Sequence, residues 1–415
     1  MVRQIFVFIH RWAGLLMTVF LILVGLTGSV IAFMSELEHL ISPQLYARPR
    51  AGVERLDLAT LAERAETLVP QARMNSIAID GPDQVDVRYI PRTDPATGKP
   101  YELDFTQFFV DPWTGKELGR RNFGDLSQGS INLIPFIYEL HWTLALGRTG
   151  IWIMGVVALI WTIDCFIGFY LTLPISTTQF WRRWRPSWLI KRRTGLYRLN
   201  FDLHRASGLW LWPMLFVFAW SSVMLNLPSI YDWATGMVLD YQSPTEAYLA
   251  RTPHPNETPR LDWHQALAVG ERLIAEQAAS RGFLVERARA LGYDADQGVY
   301  FYYVKSNRDV NEKNGRSGVL FDGDTGAFRS LDLPSGEHSG GTVSTWLRAL
   351  HMADVFGLPY RIFVCALGLV ITMLSVTGVY IWWKKRKARI HAKCHAASGT
   401  APLAQQTRIS SAASN

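Results

Sequence analysis

The chain of 415 residues predicts a helical membrane protein, a four-span transmembrane bundle with two α+β domains outside the membrane, arising by internal duplication. Three observations carry this. First, Ile9-His10-Arg11-Trp12-Ala13-Gly14-Leu15 returns as Leu203-His204-Arg205-Ala206-Ser207-Gly208-Leu209. Each copy opens an uncharged run, Trp12 to Ser35 and Ala206 to Tyr231, long enough to cross a hydrocarbon core. Second, Leu140-His141 with Gly147 is echoed by Leu350-His351 with Gly357, and Gly168 and Gly378 both follow their histidine by 27 residues. Third, 49% of the residues are apolar and 13% aromatic, yet mean hydropathy is only +0.06. The polarity is therefore concentrated in water-exposed segments.

In chain order, residues 1–35 form the first span. Arg3 before an apolar run also suggests a secretion signal, but the run is too long and no A-x-A pattern precedes Glu36, so it reads as an uncleaved span. Residues 36–135 form the first outward domain, with a helical spacing at Leu58, Leu61, Ala62, Ala65 and Leu68 and strand alternation at 77–79, 85–89 and 108–110. Residues 136–176 hold the second span, whose apolar window at 151–174 contains one charge, Asp164. A basic loop at 177–198 leads to the third span at 199–231, where Pro213 is expected to kink the helix. The second outward domain, 232–340, repeats the order with a helix from Trp263 to Gln277 and strands at 299–304 and 319–322. The fourth span occupies 341–384, and residues 385–415, rich in Ala, Ser and Gln, read as a disordered tail. Cys165, Cys365 and Cys394 fall in or beyond spans, which suggests no disulfide framework.

The formal charge of +7 could suggest nucleic acid, but its placement excludes it. Arg182, Arg183, Arg185, Lys191, Arg192 and Arg193 fill the loop after the second span, and Lys384, Lys385, Arg386, Lys387 and Arg389 follow the fourth. Short Lys/Arg-rich loops stay on the cytoplasmic side, and Trp181, Trp184, Trp188, Trp382 and Trp383 suit an interfacial belt. Both termini are thus expected in the cytoplasm and both α+β segments outside it.

These features resemble the PepSY-associated transmembrane family, which includes bacterial iron-regulated membrane proteins and ferric-siderophore reductases of the inner membrane. The resemblance covers about residues 1 to 390. It rests on the two His-Arg-x-x-Gly-Leu starts, the Leu-His starts of spans two and four, and the turns after Val110-Asp111-Pro112 and Phe321-Asp322. It implies PepSY-like periplasmic domains and haem within the membrane.

The residues point to haem independently. A histidine inside a membrane segment is costly and by default functional. The expected topology puts His10 and His204 near the cytoplasmic face and His141 and His351 near the periplasmic face, two per layer on different helices. Two histidines are the minimum for bis-histidine ligation, giving haem b, two per chain. Arg11 and Arg205 suit haem propionates in one layer and Arg148 and Arg361 in the other, although they equally suit interfacial anchoring. Gly14 and Gly208 either leave room for a porphyrin or allow close helix packing. Any one histidine alone could simply bond across helices; four in duplicate positions favour ligation. Helices rising about 1.5 Å per residue through a core of about 30 Å leave room for one haem above another.

Other signals are weaker. Asp322-Gly323-Asp324-Thr325-Gly326 is closer to a hairpin turn than to a calcium loop, because the glutamate position holds Leu333. Asp164 suits a proton gate, a ligand orienter or a structural carboxylate; His391, Cys394 and His395 are metal-friendly types in the tail. Tyr300, Phe301, Tyr302 and Tyr303 read as strand core. No hydrolase, phosphate-loop or dinucleotide motif appears, so the electron donor is a quinol or a cytoplasmic reductase. The acceptor, a ferric siderophore or other ferric chelate, follows from the family resemblance. The expectation is therefore a haem-dependent ferric reductase. Its rivals are a non-haem accessory or binding protein and a permease of iron-siderophore uptake.

Overall fold

The computed structural model describes residues 1–191, 193, 195–242 and 255–397. Arg192 and residues 398–415 of the expected tail lie outside the described residues, as do the side chains of Cys394 and His395. The chain divides into two compact units, one of Met1–Ile22, Ile160–Leu215 and Val370–Asn415, the other of Leu23–Leu159 and Phe216–Leu369.

Among the described residues three helices are long and apolar enough to cross a membrane: α1 (Val2–Ile31), a helix at Gly147–Thr172, and the stretch Gly357–Ala392. The expected third span is a pair of helices bent by 70°, Leu196–Trp210 and Trp212–Asn226, so a fourth crossing exists only if that pair is one span. The break falls at Leu211, where Pro213 in the next turn cannot donate a helical hydrogen bond.

The expected second and fourth spans are also interrupted. Residues 136–176 contain α4 (Leu133–Thr143, after α2, Met34–Ile41, and α3, Leu58–Leu68) and α5 (Gly147–Thr172). Between them Leu144 and Ala145 are left-handed and Gly147 has φ +54°. Residues 341–384 likewise contain α11 (Ser339–His351) and the start of α12 (Gly357–Ala397), with Ala353, Phe356 and Gly357 at positive φ. The repeated glycine six residues after each histidine is thus a turn residue, filling a conformation that other L-residues adopt only with strain. The helix α12 also corrects the tail boundary at 385, since its Lys, Arg and Ala residues carry the helix on to Ala397.

In the second unit, the two α+β segments expected as separate domains share one sheet. Strands β1 (Ala72–Ile79), β2 (Val85–Pro91), β3 (Gln107–Val110), β4 (Glu117–Arg121), β5 (Val285–Asp294), β6 (Val299–Ser306), β7 (Ser317–Asp322) and β8 (Phe328–Asp332) lie in the order β4-β3-β2-β1-β5-β6-β7-β8. The halves join through antiparallel pairing of β1 with β5 at Ser76–Gly292, Ile77–Leu291 and Ala78–Ala290. Gly292 is required there, since a Cβ would fall 2.1 Å from the Phe301 ring and 2.7 Å from the Asn75 carbonyl oxygen.

One core serves both halves. Leu58, Leu61, Ala62 and Ala65 of α3 join Trp263, Ala266, Leu273 and Ile274 of α10 (Trp263–Arg281) over strand residues including Ile77, Val87, Leu291, Tyr300 and Phe321. Asp57 caps α3 by accepting from the Thr60 N–H, and Asp262 with Gln265 forms a capping box on α10. The Asp322 turn is a plain β7–β8 hairpin, its carboxylate accepting from the backbone N–H groups of Asp324 and Thr325. In the same unit Arg121 is fully buried and bonds both oxygens of Glu38 on α2 at 3.0–3.1 Å.

In the first unit, α6 (Phe180–Trp184) and the following turn fold back on the end of α5, with Trp184 Nε1 donating to Thr172 Oγ1 and Ser187 Oγ to the Thr172 carbonyl. The two halves of the bent pair are α7 (Leu196–Trp210) and α8 (Trp212–Asn226), and Pro228–Gly236 forms α9. Trp212, the residue after the bend, donates to the Cys165 carbonyl of α5 at 2.8 Å.

Candidate functional site

Two histidines meet in the first unit. His10 on α1 and His204 on α7 have ring centroids 6.1 Å apart and planes at 62°. Each ring rests against a glycine of another helix: a Cβ on Gly168 of α5 would lie 3.5 Å from His10 Cε1, and one on Gly378 of α12 would lie 3.3 Å from His204 Cε1. The matching glycines of the two halves thus seat the two imidazoles.

The hydrogen bonds settle which nitrogen carries the proton. His10 Nδ1 lies 2.9 and 3.0 Å from the two oxygens of Asp164, a buried carboxylate on α5. His204 Nδ1 lies 3.0 Å from the Leu374 carbonyl oxygen of α12, with Thr377 Oγ1 at 3.2 Å. A carbonyl can only accept and a carboxylate is the usual acceptor, so each Nδ1 is placed to donate, which in a neutral ring leaves the lone pair on Nε2. Among the described residues no hydrogen bond engages either Nε2.

Both rings line a cavity of about 460 Å³, within the range of about 300–1,000 Å³ typical of cofactor and ligand pockets. Its apolar wall includes Met17, Leu21, Trp161, Trp212 and Ile371, and four cations line it as well: Arg3, Arg11, Arg205 and Lys385. Arg205 bonds the Pro186 carbonyl at 2.6 Å and Asp202 at 3.0 Å, while its Nε is buried without a partner. Arg11 has no hydrogen bond or ion pair among the described residues. Gly14 and Gly208 line the same space; a Cβ on Gly14 would touch nothing within 4 Å, so its lack of a side chain leaves cavity rather than helix contact.

The second unit holds the other two histidines. His141 lies in the last turn of α4, and its Nδ1 is 3.0 Å from Thr27 Oγ1 of α1. His351 ends α11, and its Nδ1 is 2.7 Å from Ser221 Oγ of α8. Each hydroxyl gives its own hydrogen to a helix carbonyl, Thr27 to Leu23 at 2.8 Å and Ser221 to Val217 at 2.6 Å. Each therefore accepts from the imidazole, which again leaves Nε2 as the free nitrogen. His141 packs on Gly28, where a Cβ would lie 3.0 Å from its Cε1; His351 stacks on Phe218 with centroids 4.9 Å apart.

Of the arginines expected near this second pair, Arg148 is exposed on the first turn of α5. Arg361 is committed to Glu36 and lies over the Phe33 ring at 5.7 Å. The cation whose charge reaches His351 is instead Arg348, one turn earlier on α11. The acceptors Thr27, Ser221 and the Leu374 carbonyl also escaped sequence reading. Duplication was the available signal for the hydroxyls, since Thr27 and Ser221 both follow the first histidine of their half by 17 residues (10 to 27, 204 to 221).

Fold and site together define a membrane protein with several apolar helices and an antiparallel sheet, in which His10 and His204 line one cavity. The chain belongs to the family of the PepSY-associated TM region, whose model matches residues 7–385. No curated protein matches it.

Proposed function

We propose that this chain is a di-haem b-type electron-transfer protein of the bacterial inner membrane, with both termini cytoplasmic, that reduces a periplasmic ferric complex, a ferric siderophore, and so releases ferrous iron. The observation that carries the reading is the shared state of the four histidines: every Nδ1 donates to a fixed acceptor and every Nε2 is left for a metal. Metal-bound histidines characteristically donate their second nitrogen in this way. Among the described residues no group of three or more His, Cys, Asp or Glu side chains is placed to hold a metal ion by itself. Pairs of imidazoles suit an iron that a macrocycle already holds in its plane.

The first site fits such a group. Its two imidazoles lie close, with ring centroids 6.1 Å apart on one cavity, and would be the residues to hold the iron. The apolar walls suit a porphyrin, and Arg11 and the unsatisfied Nε of Arg205 suit its carboxylates. Haem bound by His10 with His204, and by His141 with His351, would supply a one-electron iron couple. The protein's part is to hold the imidazoles in one tautomer, exclude water with Trp161, Trp212 and Phe218, and offer the sheet as the face toward the ferric complex. A quinol or a cytoplasmic reductase is the donor.

Absorption spectroscopy of the purified full chain, reduced with dithionite and combined with haem quantification, tests this reading. A b-type band at two haems per chain, reoxidised by added ferric chelate, is expected. A colourless protein, or a reduced protein that ferric chelates leave reduced, overturns it.

A further inference from the structure

The four imidazoles are alike in tautomer but not in the charge they face. Asp164 and Leu374 occupy the same place in the duplication, each 23 residues after the histidine that opens its segment (141 to 164, 351 to 374). One supplies a carboxylate to His10; the other can offer His204 only its backbone carbonyl. The remaining two imidazoles donate to the hydroxyls of Thr27 and Ser221. Of the four, only His10 hydrogen-bonds a formal negative charge, and that carboxylate is 8% exposed. A buried charge is weakly screened, so it acts on the imidazole at close to full strength.

A carboxylate that accepts the N–H of a ligating imidazole draws the proton away and makes the other nitrogen a stronger donor, which stabilises the higher oxidation state of the metal. A neutral hydroxyl already engaged with a helix carbonyl does this far less. The cations lining the same cavity, Arg3, Arg11, Arg205 and Lys385, work the other way. The two propionates of a porphyrin would offset them, and Arg205 is already paired with Asp202. Among the described residues Asp164 has no such counter-ion at hydrogen-bonding distance besides His10.

Resting on the di-haem reading, we propose that Asp164 is a positioning residue that sets the reduction potential of the iron held by His10 and His204 below that of the iron held by His141 and His351. With both groups bound, one electron passing from the first to the second would oxidise one ferrous iron and reduce one ferric iron, with no proton or further reactant. Asp164 makes that step downhill, and therefore gives the chain its direction.

The test is an optical redox titration of the full chain carrying both haems. Two separated couples are expected. In Asp164→Asn the lower couple should rise by enough to change the reduced-to-oxidised ratio tenfold at fixed potential, 59 mV for one electron, while the upper stays. Asp164→Glu should restore most of the separation. A lower couple that does not move, or a shift in the upper one, overturns the proposal. Should Asp164→Asn fail to retain both haems, Ser221→Asp decides instead: a carboxylate offered to His351 must lower the upper couple, and an unmoved couple overturns the proposal equally. An unaltered chain without any haem band defeats the functional reading itself, so the two failures are distinct.

Discussion

His10 and His204 stand on a cavity of about 460 Å³ with four cations on its lining, whereas His351 is stacked on Phe218 and His141 sits hard against Gly28. The first pair has a carboxylate and a backbone carbonyl as acceptors; the second has two hydroxyls. The same duplicated sequence thus yields one roomy site with a carboxylate and several cations and one close-packed site whose histidine partners are hydroxyls. The duplicated positions keep the imidazoles and give each Nδ1 a hydrogen-bond partner. The surroundings that tune them diverged.

The comparison can be broken at the hydroxyls first. Replacing Thr27 by Val keeps the shape and removes the acceptor of His141, so haem affinity of the second site should fall about 10–100-fold, the usual cost of losing such a partner. Haem titration of the two sites should show the first site unchanged; equal loss at both would mean that the two pairs are not independent.

A smaller effect comes from the glycines that seat the rings. A methyl at Gly28 would stand 3.0 Å from His141 Cε1, inside the about 3.5–4.0 Å at which carbon atoms pack, while at Gly168 it would stand 3.5 Å from His10 Cε1. Gly28→Ala should therefore weaken haem retention by the second pair several-fold and Gly168→Ala should be near silent. The reverse order, read from retained haem after gel filtration, would contradict the difference in packing.

The smallest effect on either site is expected from the sheet. Burial, reinforced by the charge of Asp80, pushes the Asp86 carboxyl up to about 6. A folded-state value above the unfolded one means that ionisation opposes folding: Asp86 is harmless below about pH 4, and its cost grows as pH rises toward 6 and is then constant. Asp86→Asn should stabilise the protein by at most about 3 kcal/mol at pH 8 and by nothing near pH 4, with both haem contents unaltered. Unfolding curves at the two pH values check it; an equal gain at both would show that the carboxylate is not the cause.

Much of this was legible in the sequence, because its signals are local or repeated. The strand around Val87 alternates in sequence, the runs around Phe109, Tyr302 and Leu320 are short and apolar or aromatic as strands are, and the four histidines announce themselves by position. Less legible was whatever depends on two distant segments meeting. Nothing in residues 72–79 says that they pair with 285–294, so two domains were expected where one sheet exists. Asp164 was noticed as the lone charge of its span, but its partner is His10, 154 residues away. Arg361 was expected to suit a haem propionate or an interfacial anchor, and its partner in the structure, Glu36, lies 325 residues away. The breaks after His141 and His351 lie in apolar sequence whose left-handed turns, at Leu144 and Phe356, no residue type advertises.

Haem content of the histidine variants tests the pairing most directly. The purified full chain should carry two haems, and His204→Ala or His351→Ala should each leave one, with a different surviving couple in the two variants. A chain without haem, or loss of both haems from either folded variant, would contradict the assignment of one iron to each histidine pair.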